Sequence, residues 1–376
     1  MQEVFCALIL ADETAGNSEA ARIAMMAMTT SSSIKVNARE FFIAGIKPPS
    51  RPERKVEMKP LASNLLSVRR RYAMLAVDVD KILCFITRLG IGVLQAMPLM
   101  WAARIGRAGG EVVFWLDGRH RRMAIANLTR CFQHEQSAAN IRALAHENFR
   151  RIGENTCGAI HAAGMSAARL REVLQVKGPG ISPHDAADGC QPSSRLFATG
   201  HFGNFEAFVH MGFYLSGYAC AATYRGIRQP ALNRLFLGLR TRSGTRMFER
   251  RSEAEELKRA LDKGGVLLTL VADQSTRDGG LEVNFFGQPC FASRAPAVMA
   301  SRYHCELFVP ICYRIGLGRW VIETGEAIPT HANGHRRSGD EITRDINAAM
   351  ETAVRRDPAN WFWVHNRWKL RRAATT

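Results

Sequence analysis

The sequence predicts an α/β fold, a largely parallel or mixed sheet flanked by helices, with an N-terminal membrane-associated helical segment. Three observations carry this. Beyond Gly178-Pro179-Gly180, short apolar runs alternate with helical patterns, the texture of repeated βα units. The runs at Leu196–Thr199 and Val266–Ala272 are almost wholly apolar, as strands covered on both faces are. Upstream, Ile82–Ala103 carries Arg88 as its only charge.

The domain boundaries follow composition. Residues 1–70 read as a weakly structured basic tail, with Thr29–Ser33 polar and Pro48, Pro49, Pro52 and Pro60 set among Arg51, Arg54, Lys55 and Lys59. Met58 and Met74 are alternative starting points. Residues 71–110 form the membrane-associated helical segment and 111–372 the α/β domain. The run Ile82–Ala103 is long enough to span a bilayer. Its Arg88, Gly90, Gly92 and Pro98 fit a helix lying in one leaflet equally well, with Arg104 and Arg107 at the headgroups, and a buried helix of a soluble domain is the plain alternative.

With 376 residues, 47% of them hydrophobic, the chain has ample material for a core. The excess of 51 Lys and Arg over 34 Asp and Glu gives a net charge of +17, which points to an anionic partner without choosing one. The 9 cysteines show no C-x-x-C pair, so they read as reduced thiols facing the cytoplasm. Val4–Ala11 is apolar but follows Glu3, so no cleaved signal is expected.

Within the α/β part, Arg119–Phe132 reads as a helix with a basic start, and Ser137 caps a second through about Met165. Strand Leu196–Thr199 is followed by helix Phe205–Leu215, then strand Ala219–Tyr224. Pro230 opens a helix to about Arg242, and Ser252-x-x-Glu255 reads as a capping box before a helix ending at Lys263-Gly264-Gly265. After strand Val266–Ala272, residues 281 to 292 read as irregular, and Pro296 opens a helix through Tyr303. Leu307–Tyr313 and Trp320–Thr324 read as strands, and Ser338-x-x-Glu341 caps a last helix through Arg356.

Ligand sites in open α/β sheets lie beyond the carboxyl ends of the strands. Here His201 follows the first strand, Arg225 the second, and Asp273-Gln274 the third. With Asn204 as N-cap, Glu206 falls in the first helical turn and is expected to curl back onto Nδ1 of His201, leaving Nε2 as a base. The pair lacks a neighbouring Ser or Cys nucleophile, so the nucleophile is a hydroxyl of the substrate attacking an activated acyl group. Arg225 would neutralise a phosphate or an oxyanion. The structural alternatives are a plain His-acid hydrogen bond, a salt bridge at Arg225, and Asp273 capping the next turn. Zinc at His201, Glu206 and His210 is disfavoured by spacing. Phe202, Phe205, Phe208 and Phe213 read mostly as core, with one or two available to line an acyl channel.

These residues resemble the lipid A biosynthesis acyltransferases, the lauroyl/myristoyl transferase family, over roughly residues 75–370. The centre is Gly200-His201-Phe202-Gly203-Asn204-Phe205-Glu206, like the family's His-x-x-x-x-Glu signature. Ala126-Asn127-Leu128, Phe132, Tyr224-Arg225, Asp273-Gln274, Phe285-Phe286-Gly287 and Val309-Pro310 follow in order, and Pro358, Trp361, Trp363, His365, Arg367 and Lys369 resemble its closing pattern. Gly226 and Arg294-Ala295-Pro296 depart from it.

The resemblance implies O-acyl transfer from acyl carrier protein or coenzyme A thioester to a lipid A-type glycolipid hydroxyl, at the cytoplasmic face of the bacterial inner membrane. His201 is then the base and Glu206 its orienting partner, with Arg225, Asp273, Asn204 and Gln274 toward substrate. No metal or cofactor is implied. A lysophospholipid or aminolipid acceptor is the near alternative. A nucleic-acid-binding module is the distant one, without a basic-aromatic repeat or recognition helix to support it.

Overall fold

The computed structural model describes residues 80–182, 192–227, 229–276 and 279–368, so the 1–70 tail lies outside the described residues. The unit that begins at Leu83 holds everything below except the first turn of the first helix.

Helix α1 spans 80–96 and α2 spans Leu99–Leu116, with the break at Met97-Pro98. Proline lacks an N–H and forces the preceding residue out of helical conformation, so the apolar run becomes two helices. No described helix is long and apolar enough to cross a membrane. Helix α3 (Gly118–Phe132) starts where Asp117 accepts the N–H of His120 at 3.0 Å, and α4 (Ala138–Ala162) where Ser137 accepts that of Asn140 at 3.2 Å. Helices α2 and α4 meet backbone to backbone: a Cβ on Gly106 would lie 2.3 Å from the Gly153 carbonyl oxygen, and one on Gly110 would lie 2.1 Å from that of Phe149. Arg107 crosses the same contact to Glu154 at 3.0 Å and Glu147 at 2.8 Å.

Short helix α5 (Ala167–Val173) leads into β1 (Leu174–Lys177), which pairs parallel with β10 (Arg319–Glu323). The main sheet contains β2 (Arg195–Thr199), β3 (Ala219–Tyr224), β4 (Arg246–Glu249), β5 (Val266–Val271) and β8 (Glu306–Phe308), in the order β4-β3-β5-β2-β8 and parallel throughout. Between them lie a 3₁₀ helix (Phe205–Phe213), α6 (Pro230–Arg240), α7 (Ala254–Lys263), the β6–β7 hairpin (Leu281–Phe285, Gln288–Ala292) and α8 (Ala295–Arg302). After β8 come β9 (Ile311–Gly316), antiparallel to β10, a two-stranded hairpin β11–β12 (His331–Ala332, His335–Arg336), and α9 (Gly339–Arg356).

The core sits on both faces of the main sheet, as strand alternation requires. Leu196, Ala198, Leu268 and Leu270 pack with Phe248, Leu257, Ala297 and Ile346 on one face. Phe197 and Leu267 pack with Phe208, Met211, Phe308 and Trp320 on the other.

Several local expectations are corrected. Ser252 does not cap α7: its N–H and hydroxyl go to Glu249 at 2.9 and 3.0 Å, and the N-cap is Glu253. The second box is present, with Ser338 and Glu341 bonded reciprocally. Residues 281–292 are not irregular but a hairpin, turning on Phe286 and Gly287 at φ 55° and 68°. The single strand expected over Leu307–Tyr313 is two strands, divided at Val309-Pro310. Residues 205–213 form a 3₁₀ rather than an α-helix.

Candidate active site

Strands β2 and β5 are parallel neighbours with Thr199 opposite Val271. The ladder continues one bond further, from Ala272 N–H to Thr199 C=O at 2.8 Å. His201 and Asp273, each two residues past its strand, are therefore brought together at the carboxyl edge. Nδ1 of His201 lies 2.8 Å from Asp273 Oδ1, and the backbone N–H of His201 donates to Oδ2 at 2.8 Å.

Local backbone chemistry makes this approach possible. A Cβ on Gly200 would lie 3.0 Å from the Asp273 carboxyl carbon, so a side chain there would crowd the carboxylate. The chain then reverses tightly, with Phe202 N–H on Gly200 C=O at 2.8 Å, a three-residue turn with His201 at its apex. Gly203 follows at φ 57°, where a Cβ would lie 2.0 Å from the Cys312 carbonyl oxygen. Its N–H donates to Asn360 C=O at 2.8 Å, which ties the turn to the closing segment.

Asp273 is buried and surrounded by donors. The indole N–H of Trp361 reaches Oδ2 at 2.9 Å, and the guanidinium of Arg367, itself fully buried, donates to the Asp273 backbone carbonyl and to Asn347 Oδ1. Burial alone would push the Asp273 pKa up; the His201 ring, its hydrogen bonds and Arg367 reverse this and hold the carboxyl below its usual range. An ionised Asp273 accepts the Nδ1 proton, which puts the lone pair of the neutral ring on Nε2. The ring of His201 is flanked by Phe205 and Phe362 at 4.7 and 5.8 Å between centroids.

Glu206 is the main correction to the sequence reading. It sits in the first turn of the 3₁₀ helix, but its carboxylate is held by Arg240 at the end of α6, at 2.9 and 2.5 Å in a two-pronged pair. Burial would raise its pKa, but positive charge, that of Arg240 foremost, brings it down to about 2. Nδ1 of His201 is thus served by the carboxylate 72 residues downstream and not by the one 5 residues downstream. Asp273 was expected toward substrate or as a cap of the next turn, and its carboxylate is bonded to His201 and Trp361.

The remaining expected residues lie at the same edge. Asn204 is buried at the start of the 3₁₀ helix, as foreseen, but its side chain makes no capping bond. Arg225 follows β3 and is exposed, and Gln274 follows Asp273. Tyr224 is paired with Glu249, so Arg225 and Arg250 are successive exits from adjacent strands. Phe202 and Phe208 are core, while Phe205 touches His201.

Sequence reasoning missed the supports of the closing segment. Asn127 on α3 donates to the carbonyls of Trp363 and His365, both at 2.8 Å. Asn148 on α4 donates to those of Ala359 at 2.9 Å and Trp361 at 2.5 Å. Asn127 and Asn148 among the apolar positions of their helices were the available signal, because a buried amide has to find partners.

No curated protein matches the chain. Residues 76–370 match the family described as bacterial lipid A biosynthesis acyltransferase, and the match spans the helical segment, the His201–Asp273 pair and the closing Trp361–Arg367 segment. The chain belongs to that family and is an acyltransferase.

Proposed function

We propose that the protein moves a fatty acyl chain from a thioester of acyl carrier protein or coenzyme A to a hydroxyl of a lipid A-type glycolipid, working on the cytoplasmic face of the bacterial inner membrane. The observation that carries the chemistry is the His201–Asp273 pair at the strand edge. Nε2 of His201 takes the proton of the acceptor hydroxyl as its oxygen attacks the thioester carbonyl. The tetrahedral intermediate collapses with cleavage of the C–S bond, and the proton passes from the imidazolium to the leaving thiolate. The products are an ester and a free thiol. Assistance of this kind contributes about 10²- to 10⁴-fold. Asp273 fixes the tautomer and steadies the imidazolium, and Arg225 balances negative charge on substrate.

Membrane association is supported by one face of α1 and α2. Phe85, Ile86, Leu89 and Val93 on α1, and Trp101, Ile105, Val112, Trp115 and Leu116 on α2, are all exposed. Arg104 stacks over Trp101 at 5.1 Å, and Arg119, Arg121 and Arg122 follow in the first turn of α3. Apolar side chains beside guanidinium groups suit the boundary between acyl chains and anionic headgroups, and a helix lying in that plane needs no spanning length.

The test is release of carrier thiol. Purified protein, acyl carrier thioester and bacterial lipid extract should yield free thiol together with an acylated glycolipid, and His201→Ala should reduce the rate at least about 100-fold. A coenzyme A thioester in a parallel arm identifies the donor. Equal rates for wild type and His201→Ala would remove His201 as the base.

A further inference from the structure

Phe362 sits in the closing segment between two tryptophans that turn the other way. Trp361 and Trp363 are buried, with ring centroids 4.7 Å apart, and their indole N–H groups donate to Asp273 Oδ2 at 2.9 Å and to Pro358 C=O at 2.6 Å. Phe362 is half-buried and belongs to neither face of the core among the described residues. Its ring centroid lies 5.8 Å from that of His201 instead. A phenylalanine left half in water contributes little burial, so its place against the base calls for a reason other than packing.

The backbone of Phe362 is pinned on both sides. The carbonyl before it, of Trp361, is held by Asn148 on α4 at 2.5 Å, and the one after it, of Trp363, by Asn127 on α3 at 2.8 Å. Pairing with the histidine turn sets what it faces. Phe202 forms an antiparallel bridge with Trp361, and Gly203 N–H donates to Asn360 C=O at 2.8 Å. One step along the same antiparallel register, His201 lies opposite Phe362. Phe205 closes on the same ring at 4.7 Å from the 3₁₀ helix, packed in turn against the Phe197 and Phe208 side of the core. With Nδ1 turned to the buried Asp273 and two phenylalanines against the ring, 13% of the His201 side chain is exposed.

The chemistry supplies the reason. A base that draws a proton from an alcohol also draws one from water, and water far outnumbers any lipid hydroxyl. When water attacks the thioester carbonyl, its proton passes through Nε2 to the leaving thiolate, the C–S bond breaks, and the products are a free fatty acid and a thiol. A closed apolar surrounding prevents such side reactions. We propose that Phe362, backed by Phe205, covers the His201 ring against water and so sets the preference of the enzyme for a lipid hydroxyl over water as the acyl acceptor. The preference rests on the acyl-transfer reading; the cover rests on the geometry alone.

Two measurements on the full chain test this, with wild type, Phe362→Ala, Phe362→Leu and Phe362→Tyr each checked for folding by circular dichroism. In the first, dodecanoyl acyl carrier thioester is turned over with bacterial lipid extract, and free fatty acid and acylated glycolipid are quantified by mass spectrometry. The ratio of acid to acylated glycolipid should rise about tenfold or more in Phe362→Ala and less in Phe362→Leu, and stay near wild type in Phe362→Tyr, which keeps the ring. Loss of folded protein lowers both products and leaves the ratio where it was. In the second, the folded proteins are treated with diethyl pyrocarbonate, a small water-borne reagent that modifies neutral imidazole, and labelling of His201 is timed against the exposed His331 and His335 of the same chain. The rate at His201 relative to theirs should rise several times over in Phe362→Ala. If the product ratio is unchanged in folded Phe362→Ala and Phe362→Leu, the proposal fails while acyl transfer stands. Equal labelling of His201 in wild type and Phe362→Ala removes the cover, and the proposal with it. If His201 is covered yet wild type turns over no thioester, the cover stands, and the acyl-transfer reading fails together with the acceptor preference.

Discussion

His201 and Asp273 leave adjacent parallel strands in register, and the Asp273 carboxylate takes both the backbone N–H and the Nδ1 of His201, each at 2.8 Å. Two bonds to one carboxylate fix the position of the residue and the direction of its ring. Asp273→Asn keeps the shape but offers Nδ1 an amide, which can pair with the wrong tautomer. A fall in kcat of about 10³- to 10⁴-fold with little change in KM is expected from the corresponding substitution in other histidine-acid pairs. Steady-state kinetics on the folded variant decide this, and near-normal kcat would show that Asp273 does not orient the base.

Glu206 should behave differently. Its pair with Arg240 is buried, and removing one partner leaves the other charge stranded at a cost of about 3–5 kcal/mol. Glu206→Gln is therefore expected to lower the denaturant midpoint strongly, while the folded fraction turns over with an unshifted pH profile. The double change Glu206→Leu with Arg240→Met should recover much of the stability, because both charges of the buried pair are then removed together. Loss of kcat in a fully folded double variant would return Glu206 to the chemistry.

The contrast between these two carboxylates explains what the sequence could and could not tell. The strand ends at Thr199 and Tyr224 were legible, and the one expected at Ala272 falls a residue earlier at Val271, because buried parallel strands are continuous apolar runs, and the residues after them were correctly placed at one edge. Pairing within that edge was not legible. A local reading gives His201 its nearest acid, but strand register brings in one 72 residues away, and register between parallel strands leaves no short-range mark. The capping box at Ser252 failed for a related reason, since Glu249 competes for the same groups. The β6–β7 hairpin was hidden because Phe286 is a poor choice for positive φ. Its N–H on Glu351 at 2.6 Å and its edge contact with Phe132 at 5.2 Å supply what turn propensity does not.

Trp361 is expected to tune the base without touching substrate. Its indole N–H is one of the donors on Asp273 Oδ2. Trp361→Phe keeps an aromatic ring and deletes that donor, so the carboxylate concentrates more charge on its remaining partners and stabilises the protonated imidazole. The acid limb of kcat/KM against pH should move to higher pH, with KM little altered. A profile that falls in height but does not move would assign Trp361 to packing alone.

The apolar face of α1 and α2 predicts lipid-dependent behaviour. Replacing Trp101 and Val112, both more than half exposed, by glutamate removes no core contact but places charge where the bilayer boundary would lie. Flotation with vesicles containing phosphatidylglycerol should capture wild type and release the double variant, while both melt at similar temperatures. Binding of wild type should weaken as salt rises, since Arg104 and the arginines of α3 supply the electrostatic part. Equal flotation of the two proteins would place the membrane contact elsewhere.

His210 should set the first loss of stability on acidification. It is buried in the 3₁₀ helix and stacked on Phe213 at 6.2 Å, and burial lowers its pKa to about 4 although Glu206 pulls the other way. The unfolded histidine titrates near 6.5. The folded pKa is the lower one, so the neutral ring's contribution is complete above about 6.5 and is lost as pH falls towards 4, where the unfolded chain binds a proton that the folded chain refuses. The loss is on the order of 3 kcal/mol over that interval. Glu206, held at about 2 against an ordinary value near 4.5, adds a second loss only below pH 4.5. Urea unfolding of wild type at pH 7.5, 5.5 and 4.5 should show the first decline, and His210→Phe, which cannot be protonated, should flatten it. If the variant declined as steeply as wild type between pH 6.5 and 4.5, the acid sensitivity would belong to another group.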